Sequence, residues 1–141
     1  MLVRRVRDAD LTLLAEWEEQ NLSGANWTIK DLSEEFRQAN SYFLVAVEGG
    51  EARGYCVVRR MPDGFELMNV LVPMDHRRRG IARLLMDAVH QLSERQPVYL
   101  EVRASNEAAQ SLYASYGYEQ TGLRERYYRD GEDAVLMSRE L

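Results

Sequence analysis

The chain is poor in the residues that build covalent frameworks and metal cages. Cys56 is its single cysteine, so no internal disulfide can form. It lies in the apolar run Gly54-Tyr55-Cys56-Val57-Val58, which fits a packed thiol better than a nucleophile. The two histidines, His76 and His90, have no cysteine or acidic partner at metal-ligand spacing; they read as solvated or helix-surface side chains, and no metal is expected. No apolar stretch approaches the roughly 20 residues of a membrane span, and Met1-Leu2-Val3-Arg4-Arg5 lacks the apolar core of a signal peptide. A cytoplasmic protein without a membrane partner is the expectation. There is no internal repeat, linker or low-complexity stretch. Nor is there an excess of positive charge: 18 basic against 23 acidic residues give a net charge of −5, which offers no general attraction for nucleic acid.

What is present suits one globular domain over residues 1–141. Hydrophobic residues make up 45% and charged residues 29%. A chain of this length buries about two-thirds of the surface that it exposes when unfolded. Positive charge is concentrated locally, at Arg77-Arg78-Arg79 with Arg83 one helical turn on. A basic patch in an acidic protein asks for an anionic ligand.

Hydrophobic periodicity gives the order of elements. A short strand over residues 2–7 leads to cap positions at Asp8 and Asp10 and a helical pattern through Leu11, Leu14, Ala15 and Glu18. The stretch 21–26 breaks it. Thr28 then caps a second helix, with Asp31 where a capping box places its acid, and Ile29, Leu32 and Phe36 carry it to about Asn40. Three strands follow as an antiparallel meander: Phe43 to Val47, Ala52 to Met61 and Phe65 to Val72, turned at Gly49-Gly50 and Pro62-Asp63-Gly64. Ile81, Leu84, Leu85, Ala88, Val89 and Leu92 match the helical template, so a helix is predicted from near Arg79 to Arg95. After Pro97, residues 98–103 alternate as a strand, parallel to the strand before the helix. Asn106 caps a helix that stops at Gly117. Two strands, about 118–124 and 133–139, are joined through the Asp130-Gly131 turn.

The basic patch sits where a strand hands over to the strongest helix. Free N–H groups and the positive end of the helix dipole converge there, and Gly80 has no side chain to keep a phosphate from the main chain. The Lys-Ser/Thr pair of a P-loop is missing, and one glycine cannot make a G-x-G-x-x-G turn. An exposed basic helix start beside acidic partners is the other reading of the same letters.

Context favours the anion seat. Asn69-Val70-Leu71-Val72-Pro73 followed by Arg77-x-x-Gly80-x-Ala82 resembles the acetyl-CoA-binding motif of the GNAT acetyltransferase superfamily, commonly Gln/Arg-x-x-Gly-x-Gly/Ala. Residues 100–106, Leu-Glu-Val-Arg-Ala-Ser-Asn, with Leu112-Tyr113 and Tyr116-Gly117-Tyr118, resemble the ribosomal-protein-alanine N-acetyltransferase (RimI) group. Tyr127-Tyr128 and Gly131-Glu132-Asp133-Ala134 continue that likeness, which is dense over residues 66–138 and thinner before them. The resemblance implies a mixed α/β fold whose central, mostly antiparallel sheet is splayed between strands near 66–72 and 98–104, with acetyl-CoA in the split. It also implies roles. Main-chain groups of Val70, Leu71 and Val72 would receive the acetyl and pantetheine portion. Arg78, Arg79, Gly80, Ile81, Ala82 and Arg83 would hold the pyrophosphate, and Asn106 would hydrogen-bond the cofactor. Glu101 would be the general base and Tyr113 the general acid. The acceptor implied is a protein N-terminal α-amine, such as that of a ribosomal protein, with a small-molecule amine or a non-catalytic acyl-CoA sensor as the alternatives.

These roles make chemical sense. An amine attacks a thioester only when unprotonated, and an α-amine of pKa near ~8 needs only a weak base. Glu101 alternates away from Leu100 and Val102, where partial desolvation would raise its pKa, although an ion pair with nearby Arg103 is the competing reading. Glu66 is a second candidate base. A phenol at Tyr113 would speed departure of a thiolate, although its stripe with Ala109 and Tyr116 also fits core packing. Tyr127 and Tyr128 could clamp an acceptor or pack across strands. Arg129 stands where relatives commonly carry proline, and Ala82 replaces a second glycine.

Overall fold

The structure, a computed structural model, describes residues 1–21 and 26–140. The break read over 21–26 therefore lies, at 22–25, outside the described residues. Seven strands form one sheet: β1 (Leu2–Arg5), β2 (Ser41–Glu48), β3 (Glu51–Met61), β4 (Gly64–Leu71), β5 (Val98–Arg103), β6 (Glu119–Arg124) and β7 (Ala134–Arg139). Four α-helices accompany them: α1 (Leu11–Gln20), α2 (Ile29–Phe36), α3 (Ile81–Ser93) and α4 (Glu107–Ser115). The strand order is β1-β2-β3-β4-β5-β7-β6. All neighbours are antiparallel except β4 and β5, which α3 connects and which run parallel.

Two irregularities shape the centre of this sheet. The β4–β5 ladder holds only three pairs, Phe65 with Val98, Glu66 with Tyr99 and Leu67 with Leu100. Beyond them both strands continue, but apart. At the same level β4 is bulged: Val58 pairs with Leu67 and Val57 with Asn69, so Met68 is an extra residue. A bulge resets which face each side chain addresses. Phe65 and Leu67 join the core under α3 and α4, Leu71 joins the core under α1 and α2, and Val70 and Val72 pack on the α3 side again.

The sheet separates those two cores. Alternation in β2 and β3 sends Ala46, Cys56 and Val58 to one and Phe43, Val45, Tyr55 and Val57 to the other. The second core holds a buried acid. Glu18, 2% exposed on α1, accepts hydrogen bonds from Tyr55 Oη (2.6 Å), Asn69 Nδ2 (2.9 Å) and Trp27 N (3.0 Å). One carboxylate thus ties α1, the segment entering α2, the centre of β3 and the bulge of β4 together, and three buried donors find their acceptor there.

Local chemistry explains the helix ends. The Thr28 hydroxyl accepts from Asp31 N and the Asp31 carboxylate from Thr28 N, completing a capping box with aspartate in the acid position. Asn106 Oδ1 accepts from Ala109 N at 3.1 Å. Three boundaries differ from the sequence reading. Helix α2 stops at Phe36 and not near Asn40, because the chain turns through Gln38 N–Glu35 O and Ser41 N–Gln38 O bonds into β2. Helix α3 begins at Ile81 and not at Arg79, because Arg78 (φ 63°) and Gly80 (φ 78°) are left-handed. Strand β4 stops at Leu71 and not at Val72, while the Asp130-Gly131 turn forms as read, with Gly131 N 2.8 Å from Tyr128 O, inside the connection over 125–133.

Gly64 fixes the approach of β4 to the start of β5. A Cβ there would lie 2.5 Å from Pro97 O, on a backbone of φ 152°. Gly64→Ala is expected to cost about 3 kcal/mol or more through overpacking against main chain. Gly131→Ala, with φ 88° and nothing within 4 Å of its added carbon, should cost about 1 kcal/mol of left-handed strain. Urea unfolding of both variants measures the difference, and equal losses contradict it.

Candidate active site

The bulge and the split produce a cavity of about 470 Å³ between the end of β4, the start of α3 and one side of α4. Val70, Leu71 and Val72 form one wall, and on the β5 side their backbone faces the opening, since pairing with β5 has ended. Arg78 and Gly80 to Arg83 form the mouth, while Asn106 and Tyr113 form the far wall. Ala108, Ala109 and Leu112 complete the α4 side, the apolar stripe of that helix.

The mouth has the properties of an anion seat. Leu84 N makes the first helical bond, to Gly80 O at 3.0 Å, so the N–H groups of Ile81, Ala82 and Arg83 have no helical acceptor. A Cβ on Gly80 would meet nothing within 4 Å, so within the chain glycine is needed for its left-handed φ and not for room. The preceding loop is braced: residues Met74–His76 form a 3-10 turn, and Arg77 Nε donates to Val72 O at 3.0 Å.

The arginines of the patch are not equivalent. Arg78 lines the cavity and makes no ion pair with a described residue. Arg79 turns away from the cavity, its guanidinium paired with Glu48. Arg83 lines the mouth, donates to Ser115 Oγ at 3.2 Å and lies 5.5 Å from the Tyr116 ring centroid. The single hydroxyl proton of Tyr116 is shared between Asp87 Oδ1 at 2.9 Å and Arg83 O at 3.1 Å, holding α4 against α3.

Tyr113 is 7% exposed, and its hydroxyl makes no hydrogen bond to a described residue. Burial pushes its pKa well above the ordinary tyrosine value, so the phenol stays protonated at neutral pH. Cys56, at the centre of the sheet, is pushed up to about 12 by burial and has no role as a thiolate nucleophile.

Glu101 is not among the residues that line this cavity. It leaves β5 on the opposite face from Leu100 and Val102, which pack in the α3 core. There its carboxylate pairs with Arg124 Nε at 3.1 Å, and not with the neighbouring Arg103. Glu66 lies nearby; burial, then the negative charge of Glu101, raises its pKa. Glu101, then burial, raises the phenol pKa of Tyr127. Glu101 and Tyr113 thus stand on opposite faces of the sheet, which is unpaired between β4 and β5 beyond Leu67 and Leu100.

Both histidines differ from the solvated reading. His76 lines the cavity mouth, with Nδ1 buried and without a hydrogen-bond partner. His90 is half-buried on α3, with Nε2 2.9 Å from Tyr118 Oη and ring centroids 5.0 Å from Tyr116 and 5.7 Å from Tyr118. The hydrophobic period of α3 hid this placement, because histidine scores as polar whichever face it takes. No group of three or more potential metal ligands occurs among the described residues. No helix among them is long and apolar enough to cross a membrane.

Burial, and then the positive charge of Arg139, lowers the His90 pKa from 6.5 to about 4. The unfolded chain therefore binds this proton more readily, and stability that is complete above pH 6.5 should fall between pH 6.5 and 4. Proton-detected titration of the imidazole checks the cause: a midpoint near the free value of about 6.5 would show that the ring is solvated.

Comparison with known proteins agrees with the geometry. The profile of the family described as "Acetyltransferase (GNAT) domain" matches residues 13–141. The chain is 35% identical over 138 residues to the N-alpha-acetyltransferase RimI of Mycobacterium tuberculosis, covering 94% of this chain and 87% of that one. The crystal structure of the ribosomal-protein-S18-alanine N-acetyltransferase from Escherichia coli superposes with a TM-score of 0.84 at 26% identity, covering 96% and 90% of the two chains. That of Ard1 from Thermoplasma volcanium superposes with a TM-score of 0.89 at 26% identity, covering 99% and 97%.

Proposed function

Since the chain belongs to the GNAT acetyltransferases and is an acetyl-CoA-dependent N-acetyltransferase, we propose that its acceptor is the α-amine of a protein N-terminus, with a ribosomal protein as the natural class of partner. The observation that carries this reading is the gap between β4 and β5, where a cavity with an anion-binding mouth on one face meets a carboxylate cluster on the other. The printed names of the M. tuberculosis and E. coli relatives support the choice of acceptor.

In this reading acetyl-CoA lies along the cavity, whose apolar walls and open backbone suit a pantetheine arm and whose mouth suits a pyrophosphate. Arg78 and Arg83 neutralise phosphate charge, while the main chain from Arg79 through Gly80, Ile81 and Ala82 closes around it. Asn106 holds the chain of the cofactor beside the start of α4. The main-chain groups of Val70, Leu71 and Val72 on the side away from β3 hold the thioester end in the gap.

The amine arrives from the carboxylate face. Glu101 accepts its proton, directly or through a water, with Glu66 as the second carboxylate able to do so. The freed nitrogen attacks the thioester carbonyl, the C–S bond breaks, and Tyr113 donates its phenolic proton to the departing sulfur. Attack is direct, because the one thiol of the chain is sealed in the core. Tyr127, beside Arg124 and its partner Glu101, borders the acceptor face.

Tyr113→Phe should lower kcat on the order of 10²-fold while leaving acetyl-CoA affinity in place, since only the proton donor is lost. A kcat equal to that of the unaltered enzyme removes the acid role. The acceptor is tested by free-thiol release with alanine-first peptides beside polyamines and amino acids. Turnover of the peptides is expected; turnover confined to the small amines overturns the proposal.

A further inference from the structure

We propose that Arg103 is a positioning residue, which clasps the connection over 125–133 onto the acceptor face and thereby sets Tyr127 beside Glu101. This rests on the reading that the amine enters on that face. Arg103 lies two residues beyond Glu101 on β5 and is only 7% exposed. The opening of the sheet at this point leaves a long connection between β6 and β7 that strand pairing does not order and whose own backbone bonds form one turn, Gly131 N to Tyr128 O at 2.8 Å and Tyr128 N to Glu132 O at 3.1 Å. Ordering it costs conformational entropy, and some set of contacts has to offset that cost.

Those contacts converge on one guanidinium. Arg103 Nη1 is 2.8 Å from Asp130 Oδ2 and 3.0 Å from Glu132 Oε1, and the group stacks on Tyr128 with Cζ 4.1 Å from the ring centroid. Each acid spends its other oxygen on the backbone: Asp130 Oδ1 accepts from Glu132 N at 3.0 Å, and Glu132 Oε2 accepts from Ser105 N at 2.7 Å. Asp130 and Glu132 are both held below their ordinary pKa, Asp130 first by the Glu132 N–H and Glu132 first by Ser105, with Arg103 contributing to each. The clasp thus runs from β5 through the loop to the residue before the Asn106 cap.

The two tyrosines pass the placement on. Tyr127 and Tyr128 pack edge to face, 5.2 Å apart at 83°. Arg124, which pairs with Glu101 at 3.1 Å, lies 5.8 Å from the Tyr127 ring centroid and so joins the tyrosine to that carboxylate. Fixing Tyr128 therefore fixes Tyr127, half-exposed at the border of the carboxylate cluster. Lysine at 103 would keep the charge and lose both the fork and the planar stack.

The test uses the full chain with acetyl-CoA and an alanine-first peptide, and compares Arg103→Met, Arg103→Lys and the double variant Asp130→Asn/Glu132→Gln. Arg103→Met should raise the peptide KM about tenfold or more and leave the acetyl-CoA KM within about twofold, because a tenfold change matches the loss of one charge-assisted contact set. Arg103→Lys should recover part of the loss. The second readout needs no acceptor. Trypsin cuts after the exposed Arg126 and Arg129, and cleavage there should accelerate about tenfold in Arg103→Met and in the double variant, following the open population of the loop. Loop cleavage at the unaltered rate, or KM values that rise together for both substrates, overturns the clasp. Should Arg103→Met not fold, the double variant gives both readouts. If the unaltered enzyme turns over no peptide, the acceptor proposal fails, and proteolysis still decides the clasp.

Discussion

The pairing of β4 with β5 ends after Leu67 and Leu100, and from there each strand turns backbone groups toward an opening in place of a neighbour. Interrupting a sheet at its centre is costly unless the freed groups find partners. Part of the remedy is internal. The extra residue Met68 turns Asn69 toward Glu18, and that carboxylate gathers donors from a helix entry, from β3 and from the bulge itself. In the proposed reading the rest would be met by a co-substrate with a long, amide-bearing arm. A chain that closed this gap would be a better sheet and no catalyst.

Charge is distributed to match. In a chain of net charge −5, the mouth of the cavity collects Arg78, Arg83 and three free N–H groups, while Glu66 and Glu101 lie across the sheet. The other two arginines of the patch do structural work: Arg77 donates to Val72 O, and Arg79 binds Glu48 at the end of β2. Anion and ammonium are thereby drawn to different sides of one partition, which suits two substrates that must meet only at their reacting atoms.

The parts of this arrangement with a local cause were legible in the sequence. The period of α3, the lone glycine before it, the Thr28 and Asn106 caps and the parallel pair around a crossover helix all follow from short-range rules. What was hidden depends on long-range registry. Nothing in the tail shows that β7 slides between β5 and β6, since both strands alternate equally well. The Met68 bulge leaves no letter behind it. Glu18 follows the helical pattern of Leu11, Leu14 and Ala15, but no letter shows that Tyr55 and Asn69 meet it there. Glu101 was expected near an arginine, yet its partner is Arg124 from β6 and not the adjacent Arg103, which faces two acids of the loop. A histidine on a helix gives no sign that its neighbours in space are two tyrosines from beyond the next strand, as those of His90 are.

The placement of Glu101 and Tyr113 on opposite sides of the sheet bears on traffic through the enzyme. In the proposed reading, spent carrier would leave past the start of α3 and the modified acceptor over the β6–β7 loop, so that neither product would have to wait for the other's door. Loading from one side can begin while the opposite side is still emptying. Both chambers must nonetheless be filled together for transfer to occur, and a substance that occupies one of them idles the enzyme without displacing the occupant of the other.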